Sequence, residues 1–227
     1  MDNRHCVSCD KKCDCFKLLT EDELRLINSN RSLITYKKGE TIIKQGALFR
    51  EVISFNGGIA KIHIKGEHNK ELLLGVITPS EIIGGPGLFF ENRYSYSITA
   101  LSDCTTCLID SNIFKQIFRS NGEFAESFLN SFSKRYVHTF DRVISLTQKQ
   151  MHGRLADALL FLSDKVHFSD TFDLVFSRQE LADFTAMSKE SVCRILKEFK
   201  DDRIIETSGR QINIIDKDFL SKINNAG

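Results

Sequence analysis

The character of the sequence changes at about residue 123, and this change limits the possible folds more than any single motif does. Residues 123–150 contain neither glycine nor proline, so they predict one continuous helix, about 42 Å long at 1.5 Å per residue. The preceding region, from Tyr36 to about Asp110, consists of short β-rich runs separated by glycines. Together they predict an α+β fold in which a small antiparallel sandwich or barrel precedes a long helix.

Residues 60–65 in the β-rich region alternate strictly between apolar and polar side chains, which predicts a strand with one buried and one exposed face. The buried face would carry Ala60, Ile62 and Ile64, and the exposed face Lys61, His63 and Lys65. Asn56-Gly57 predicts a hairpin turn before this strand, and Gly66-Glu67-His68-Asn69 predicts the next reversal.

Apolar side chains within residues 123–150 recur at alternating intervals of three and four, which is the heptad seam of a two-helix coiled coil. The seam comprises Leu129, Phe132, Tyr136, Thr139, Val143 and Leu146. A second apolar stripe comprises Phe124, Phe128, Phe140 and Ile144. One stripe can pack on the β-rich region while the other meets a second copy, so a homodimer is predicted. The alternative is a core helix buried on both sides within a monomer.

Two short helices and a β-hairpin are predicted near the C-terminus. Ser177-Arg178-Gln179-Glu180 is a capping box that opens the first helix, and Ser188 can cap a second helix that runs to about Lys200. The inner face of the second helix comprises Val192, Ile195, Leu196 and Phe199. Isoleucines flank the turn Ser208-Gly209-Arg210, so this region is typical of a winged helix-turn-helix.

The exposed face of the second helix carries side chains that suit the DNA major groove, since arginine can bond guanine and glutamate can accept from cytosine. The candidate DNA-binding residues are Ser188, Lys189, Glu190, Ser191, Cys193, Arg194 and Lys197, with Arg210 at the wing tip. Glu190 and Arg194 lie one turn apart, so they could equally form a surface ion pair. The net charge does not decide between DNA contacts and a surface ion pair. The whole chain carries only +1, and residues 150–227 carry 11 basic and 13 acidic side chains.

Seven cysteines are present, and four of them, Cys6, Cys9, Cys13 and Cys15, lie within ten residues. The N-terminus lacks the apolar stretch of a signal peptide and no run of about 18 apolar residues occurs, so a cytoplasmic protein without a membrane partner is expected. In a reducing cytosol such a cluster predicts a metal site or a redox element before it predicts disulfides. No nucleophile–base arrangement, P-loop or Rossmann fingerprint is present, so an enzyme is not expected.

The C-terminal motif, Ser177–Leu181 and Ser188–Leu196, resembles the helix-turn-helix of the CRP/FNR transcription regulators. Tyr36–Gly46 is similar to the start of that family's cyclic-nucleotide-type β-roll, and residues 123–150 lie where the family has its dimerisation helix. The resemblance implies a homodimer that binds a palindromic site on double-stranded DNA, with Glu190 and Arg194 on base edges. It also implies RNA polymerase as a further partner.

The resemblance divides the chain into four segments. They are a Cys-rich arm (1–20), a β-roll sensor domain (21–122), a dimerisation helix (123–150) and a winged helix-turn-helix domain (151–227). In the turn between the two DNA-binding helices Ala186 replaces the family's glycine, which costs about 1 kcal/mol if that residue needs a positive φ.

Two branches of the family differ in what the β-roll senses. The cyclic-AMP-binding branch has a Gly-Glu pair for the ribose and an Arg-Ser pair for the phosphate, where this chain has Gly84-Gly85 and Tyr94-Ser95. Without the arginine, the nucleotide phosphate would lack its charged bidentate partner. Cyclic AMP is therefore not expected as the effector.

The FNR branch holds a [4Fe-4S] cluster on three N-terminal cysteines spaced C-x2-C-x5-C and on a fourth cysteine from the β-roll. Cys6, Cys9 and Cys15 reproduce that spacing, and the alignment of residues 100–107 places Cys107 on the fourth ligand. The resemblance thus implies oxygen or redox sensing through these four thiolates, with Cys13 and Cys104 as spare neighbours. The alternatives are structural zinc, thiol switches, or incidental cysteines in a regulator whose β-roll binds haem or another small effector.

Overall fold

The computed structural model of the chain describes residues 5–67 and 71–226 and has the α+β architecture that the sequence predicts. It divides into two compact units. The first contains the described residues up to Lys65 together with Val76–Val137, and the second contains the described residues within Gly66–Gly75 and those from His138 onward. No helix within the described ranges is long and apolar enough to cross a membrane.

The first unit begins with an arm of two short 3-10 turns, Cys6–Ser8 and Asp14–Leu18, followed by helix α1 (Glu21–Ser29). Thr20 caps α1: its hydroxyl accepts from the backbone N–H of Glu23, and the Glu23 carboxylate accepts from the backbone N–H of Thr20. This capping box satisfies two donors that a helix start leaves free, and it fixes the start of α1 at Glu21.

Two four-stranded sheets form a β-roll. Their strands are β1 (Arg31–Tyr36), β2 (Thr41–Ile43), β3 (Glu51–Gly57), β4 (Ala60–Lys65), β5 (Glu71–Ile77), β6 (Glu81–Ile83), β7 (Ser97–Ala100) and β8 (Cys104–Asp110). The first sheet has the order β1-β8-β3-β6 and the second β2-β7-β4-β5. Leu33 on β1 and Ser54 on β3 both lie opposite Cys107 in antiparallel ladders. The reversal predicted at Gly66-Glu67-His68-Asn69 lies partly outside the described residues.

Two expectations for the β-roll are wrong. β4 is buried on both faces, because Lys61 and His63 are buried as fully as their apolar neighbours. The turn at Asn56-Gly57 does not form a hairpin, because β3 and β4 belong to different sheets. The chain passes between the sheets at Gly58, which has a φ of +82° and no room for a side chain. In a strand that is covered on both sides, a period-two pattern does not mean that one face is exposed.

Helix α2 (Ser111–Ser120) and the long helix α3 (Gly122–Gln148) follow the β-roll, and α3 covers nearly all of the range predicted for it. In its first half Phe124 and Phe128 are buried, and their rings lie 5.2 and 5.0 Å from the ring of Phe114 on α2. This half of α3 therefore packs on the first unit, as one of the two apolar stripes predicts.

The second unit holds the winged helix-turn-helix. After α3 come α4 (Met151–Phe161), a π-helical turn (Leu162–His167), β9 (Thr171–Asp173), α5 (Arg178–Thr185), α6 (Lys189–Asp201), β10 (Ile205–Ser208), β11 (Gln211–Ile214) and α7 (Lys217–Ala226). β10 and β11 form the predicted hairpin, and β9 adds a third strand beside β11 that was not predicted. Phe184, Ile195 and Phe199 are buried in the core of this unit.

Candidate DNA-binding surface and cysteine arm

Local capping signals define the helix-turn-helix. Ser177 caps α5 through a capping box with Glu180, and the hydroxyl of Ser188 accepts from the backbone N–H of Ser191 at the start of α6. Between these helices Ala186 ends α5 in the left-handed conformation, with φ 49° and ψ 47°. Ala186 therefore does have the positive φ at which the replacement of glycine matters, and the strain of alanine in this conformation costs about 1 kcal/mol.

Helix α6 buries one face and exposes the other. The predicted inner face is buried: Val192, Ile195, Leu196 and Phe199. Of the candidate DNA-binding residues on α6 and its cap, Ser191 is half-buried and the others are exposed: Ser188, Lys189, Glu190, Cys193, Arg194 and Lys197. The candidate side chains thus lie on the solvent side of a helix that is anchored by its apolar face.

Arg194 makes an ion pair, but not with Glu190. Its Nη1 donates to Oε1 of Glu198 at 2.7 Å, and the other carboxylate oxygen of Glu198 lies 2.7 Å from Nε2 of His152 on α4. The hydrogen bond with His152, supported by Arg194, holds the pKa of the Glu198 carboxyl below its usual value. The pKa of Glu190 is also lowered, by its own backbone N–H and by Ser188. The alternative of a Glu190–Arg194 ion pair is therefore wrong for the described contacts. The i,i+4 spacing of Arg194 and Glu198 is the sequence signal that could have predicted the observed ion pair.

The wing turn has the predicted form. Ser208 pairs with Gln211, and Gly209 between them has a φ of +60°. Arg210 is exposed at the turn, and its Nη2 donates to the backbone carbonyl of Leu174 at 2.7 Å. This hydrogen bond ties the wing to the loop that precedes α5.

Three of the four proposed cluster ligands lie near one another. Arg31 on β1 donates from Nε to Sγ of Cys6 at 3.1 Å and from Nη1 to Sγ of Cys107 at 3.6 Å. Cys9 is close enough to act electrostatically on both thiols. Burial raises the pKa of the Cys6 and Cys107 thiols, and the charge of Arg31 opposes the rise. Arg31 was not predicted as a site residue, since nothing in the sequence distinguishes it from other arginines.

Cys15, the fourth proposed ligand, lies apart from that group. It is buried, and its Sγ lies 3.0 Å from Sγ of Cys13. The hydrogen bond with Cys13 and burial both raise the pKa of the Cys15 thiol. Within the described ranges no group of three or more Cys, His, Asp or Glu side chains is placed to hold a metal ion. Four cysteines fit a [4Fe-4S] cluster in number and chemistry, but in this arrangement they do not form one ligand set.

The other two cysteines are separate from the arm. The thiol of Cys104 on β8 donates to the carbonyls of Ser102 and Ile59, at 3.1 and 3.3 Å, and makes none of the contacts of Cys107. Because the two cysteines are three residues apart on one strand, they point to opposite faces of the sheet. Cys193 is exposed on α6.

One tyrosine, Tyr94, lies where the resemblance places the phosphate-binding arginine of the cyclic-AMP branch, and a second, Tyr96, lies against Gly85. Tyr94 is buried, its hydroxyl donates to the carbonyl of Glu51 at 2.6 Å, and its ring lies 4.5 Å from that of Phe49. The hydroxyl of Tyr96 lies so close to Gly85 that a Cβ there would be only 2.6 Å away. Burial raises the pKa of Tyr96 to about 12, so its hydroxyl stays neutral. These neutral rings lack the charge that a nucleotide phosphate requires.

Helix α3 exposes apolar side chains along its seam and in the later part of its second stripe. Leu129, Tyr136 and Val143 of the seam are 50, 57 and 53% exposed. Thr139 is also exposed, whereas Phe132 and Leu146 are half-buried. The second stripe is divided, because Phe140 and Ile144 are exposed although Phe124 and Phe128 are buried. The alternative of a helix buried on both sides within one chain is therefore wrong for α3.

Two family models match the chain: a cyclic nucleotide-binding domain over residues 33–121 and a Crp-like helix-turn-helix domain over residues 153–223. The cAMP-activated global transcriptional regulator CRP of Salmonella typhimurium is 27% identical over 197 residues, which are 85% of this chain and 94% of the relative. The transcriptional activator protein FnrL of Cereibacter sphaeroides is 25% identical over 232 residues, 99% and 89% of the two chains.

The fold is similar to that of FixK2 from Bradyrhizobium japonicum, with a TM-score of 0.79, 18% identity and coverage of 86% of this chain and 97% of the other. The two family models together span more than two thirds of the chain, and the relatives that match it along most of its length are transcription regulators. The chain belongs to the CRP/FNR family of DNA-binding transcription regulators.

Proposed function

We propose that the chain acts as a homodimer that binds a specific palindromic DNA site and regulates transcription in response to oxygen or redox state. Helix α6 carries the proposal, because its apolar face is buried and its other face presents a continuous set of DNA-compatible side chains. Two such helices in a symmetric dimer would enter successive major grooves of the two half-sites. RNA polymerase is the expected further partner and the cytoplasm the expected location.

Arg194 is the residue to which we assign base reading. Its guanidinium can bond guanine O6 and N7 after it leaves Glu198, and this exchange costs little because both side chains of the pair are partly exposed. Glu190, one turn earlier, can accept from cytosine N4. The remaining proposed contacts to phosphates and groove edges are Ser188, Lys189, Ser191, Cys193, Lys197 and Arg210.

The variant Arg194→Ala tests this assignment. Binding to a palindrome selected from random duplexes should weaken by about 1–3 kcal/mol, and the preference at one base pair should be lost. Lys197→Ala is the matched control, because it removes a cation from the same exposed face and should weaken binding evenly across sequences. An unchanged base preference in Arg194→Ala would contradict the assignment.

For the sensor, we infer that Cys6, Cys9, Cys15 and Cys107 hold a [4Fe-4S] cluster. The spacing of the first three and the proximity of Cys6, Cys9 and Cys107 support this ligand set. Bound there, the cluster would supply a redox centre that oxygen can attack. Cys15 can join the other three only if the turn Asp14–Leu18 releases its thiol from Cys13. The four thiolates would then fasten the arm to β8.

Iron and acid-labile sulfide assays on anaerobically purified protein test the sensor. We expect about four of each per chain, and a loss of both in Cys107→Ala. Cys193→Ala, which removes an exposed thiol far along the chain, should keep both. No iron or sulfide after anaerobic reconstitution, or full content in Cys107→Ala, would contradict the cluster.

A second candidate is a regulator that responds to a small molecule in its β-roll. It is favoured by the relative from Salmonella typhimurium, which is named as cAMP-activated. Tyr94 and Tyr96 argue against cyclic AMP itself in this chain. Calorimetric titration with cyclic AMP and an absorption spectrum for haem test this candidate. Retained regulation in a variant without Cys6, Cys9, Cys13 and Cys15 would favour it over the cluster.

A further inference from the structure

The turn of the helix-turn-helix is held from outside by two arginine side chains. The end of α5 leaves backbone carbonyls without partners in their own helix. Arg142 on α3 donates from Nη2 to the carbonyl of Phe184. Arg154 on α4 donates from Nη1 to the carbonyls of Thr185 and Ala186, each at 3.2 Å. Two cations therefore lie at the negative end of the α5 dipole.

Arg142 is largely buried in this contact. Its side chain is only 13% exposed, and its guanidinium carbon lies 3.9 Å from the centre of the Phe184 ring. The cation above the aromatic face adds an attraction to that of the hydrogen bond. Burial lowers the pKa of Arg142 to about 10, and the nearby carboxylate of Asp157 opposes this, so the side chain remains charged at neutral pH.

Asp157 on α4 connects this contact to the rest of the unit. Its carboxylate lies 4.0 Å from Nη1 of Arg142, accepts from the hydroxyl of Ser145 at 2.7 Å and pairs with Nζ of Lys149 at 3.1 Å. Lys149 also donates to the side-chain oxygen of Asn224 on α7, at 2.5 Å. One carboxylate thus fixes the last turns of α3 against α4, and Lys149 extends this contact to α7.

The last turns of α3 have two different faces. Arg142 and Ser145 on α3 and Lys149 directly after its end are spaced by three and four residues, so they continue one face, which contacts the other helices of the unit. Val143 and Ile144 are exposed on a different face, which belongs to the proposed dimer surface. The same helix segment therefore contacts the helix-turn-helix on one side and presents apolar side chains on the other.

We propose that Arg142 is a positioning residue for DNA recognition, which ties the helix-turn-helix turn to α3 and so fixes the angle between the dimer axis and α6. This inference rests on the proposed dimeric, DNA-binding function. In such a dimer the angle sets the distance between the two α6 helices, and therefore the half-site spacing that the protein accepts. A looser turn would widen the range of accepted spacings as well as weaken binding.

The full-length variant Arg142→Met tests the proposal, because methionine keeps much of the length and removes the guanidinium. The probe is a palindromic duplex selected with the wild-type protein, with two further versions that have one base pair more or one fewer between the half-sites. Each base pair rotates a half-site by about 35°. We expect the variant to bind the selected duplex about tenfold more weakly. Its preference for that duplex over the other two should fall at least about threefold.

A merely structural role of Arg142 predicts a different result. Binding to all three duplexes would then weaken by the same factor, and an unchanged ratio would overturn the proposal. Lys134→Met, which removes an exposed cation of α3, is the control and should leave the ratio unchanged. If Arg142→Met does not fold, Arg142→Lys keeps the charge without the planar fork, and Asp157→Asn removes the counter-charge. Both should lower the spacing preference in the same direction.

Hydrogen exchange gives a readout that needs no DNA. The amide of Met187 donates to the carbonyl of Ala182 at 3.0 Å and reports on the turn. Its exchange should accelerate several-fold in Arg142→Met while the amides in the middle of α6 keep their rates. Exchange of the turn at the wild-type rate would overturn the proposal. Failure of the wild-type protein to select any DNA sequence would contradict the proposed function, and the exchange result would still show whether Arg142 holds the turn.

Discussion

At the turn between α5 and α6, an alanine occupies a backbone conformation with a φ of 49°. In the left-handed region a Cβ approaches the neighbouring carbonyl oxygen, which costs about 1–2 kcal/mol. The carbonyl of Ala186 accepts from Arg154, so the strained residue is held by a charged donor. The strained backbone of Ala186 and the hydrogen bond that holds it therefore lie together, directly before the DNA-binding helix.

We expect Ala186→Gly to raise the free energy of unfolding by about 1 kcal/mol, because glycine adopts a positive φ without strain. Urea unfolding measures the change. Ala182→Gly, within the regular part of the same helix, is the control and should lower the free energy of unfolding by about 1 kcal/mol or more. A less stable Ala186→Gly would show that the alanine is not strained.

Glu198 should make the stability of the second unit depend on pH. Its carboxyl has a lowered pKa in the folded protein, so its contribution is complete above the unfolded value of about 4.3 and is lost as the pH falls through the folded value. Glu198→Gln should therefore flatten the pH dependence of the urea midpoint below about pH 5. Glu206→Gln on the wing is the control and should leave this pH dependence as it is in the wild type. An unchanged pH dependence of the urea midpoint in Glu198→Gln would refute the expectation.

Residues whose partners are close in sequence were predictable, and residues whose partners are distant were not. Thr20, Ser177 and Ser188 each cap a helix by bonding a group three residues further on. Arg31 contacts Cys6 and Cys107, which come together only when the arm folds back on the sheet. No local sequence pattern predicts that the arm, β1 and β8 contact one another at this point.

Among the elements, α3 shows where periodicity is sufficient and where it fails. The lack of glycine and proline predicts its length, and the heptad pattern predicts an exposed seam. Phe128 and Phe140 belong to the same stripe, yet the first is buried and the second exposed. The pattern records which face is apolar, whereas only the tertiary structure decides how far along the helix the first unit covers it.

We expect Val143→Asp to make the protein monomeric at concentrations at which the wild type is a dimer, because it would bury an unpaired charge in the interface. Sedimentation velocity measures the change. Lys134→Asp alters an exposed residue of α3 outside the seam and is the control. A dimeric Val143→Asp would show that the exposed apolar face of α3 is not the interface.

The sheets show a limit of a different kind. Asn56-Gly57 has the composition of a hairpin turn, but β3 and β4 pair in different sheets. Lys61 and His63 alternate with apolar residues as on an exposed strand, but both are buried. Local sequence encodes the chain reversal and the strand, whereas the choice of pairing partner depends on strands that lie far away in the sequence.

For the molecule as a whole, a net charge of +1 means that DNA affinity has to come from a few placed cations. The logarithm of the binding constant should fall with the logarithm of salt concentration, with a slope of about −0.9 per phosphate contact. Lys197→Ala should reduce the size of that slope by about one. Lys115→Ala on α2, in the first unit, should leave the slope unchanged, and an unaltered slope in Lys197→Ala would exclude a phosphate contact there.

The pairing of β1 with β8 also dictates an order of events during synthesis. Leu33 lies opposite Cys107, so β1 completes its ladder only after β8, the last strand of the β-roll, has left the ribosome. Until then Cys6 and Cys9 precede a strand that has no partner. Any group that needs both the arm and Cys107 can be inserted only late, when the first unit is already folding. For the cluster proposed above, the supply of iron and sulfide would then compete with oxidation of the thiols that are to bind it, so the oxygen level during translation would affect how the protein matures.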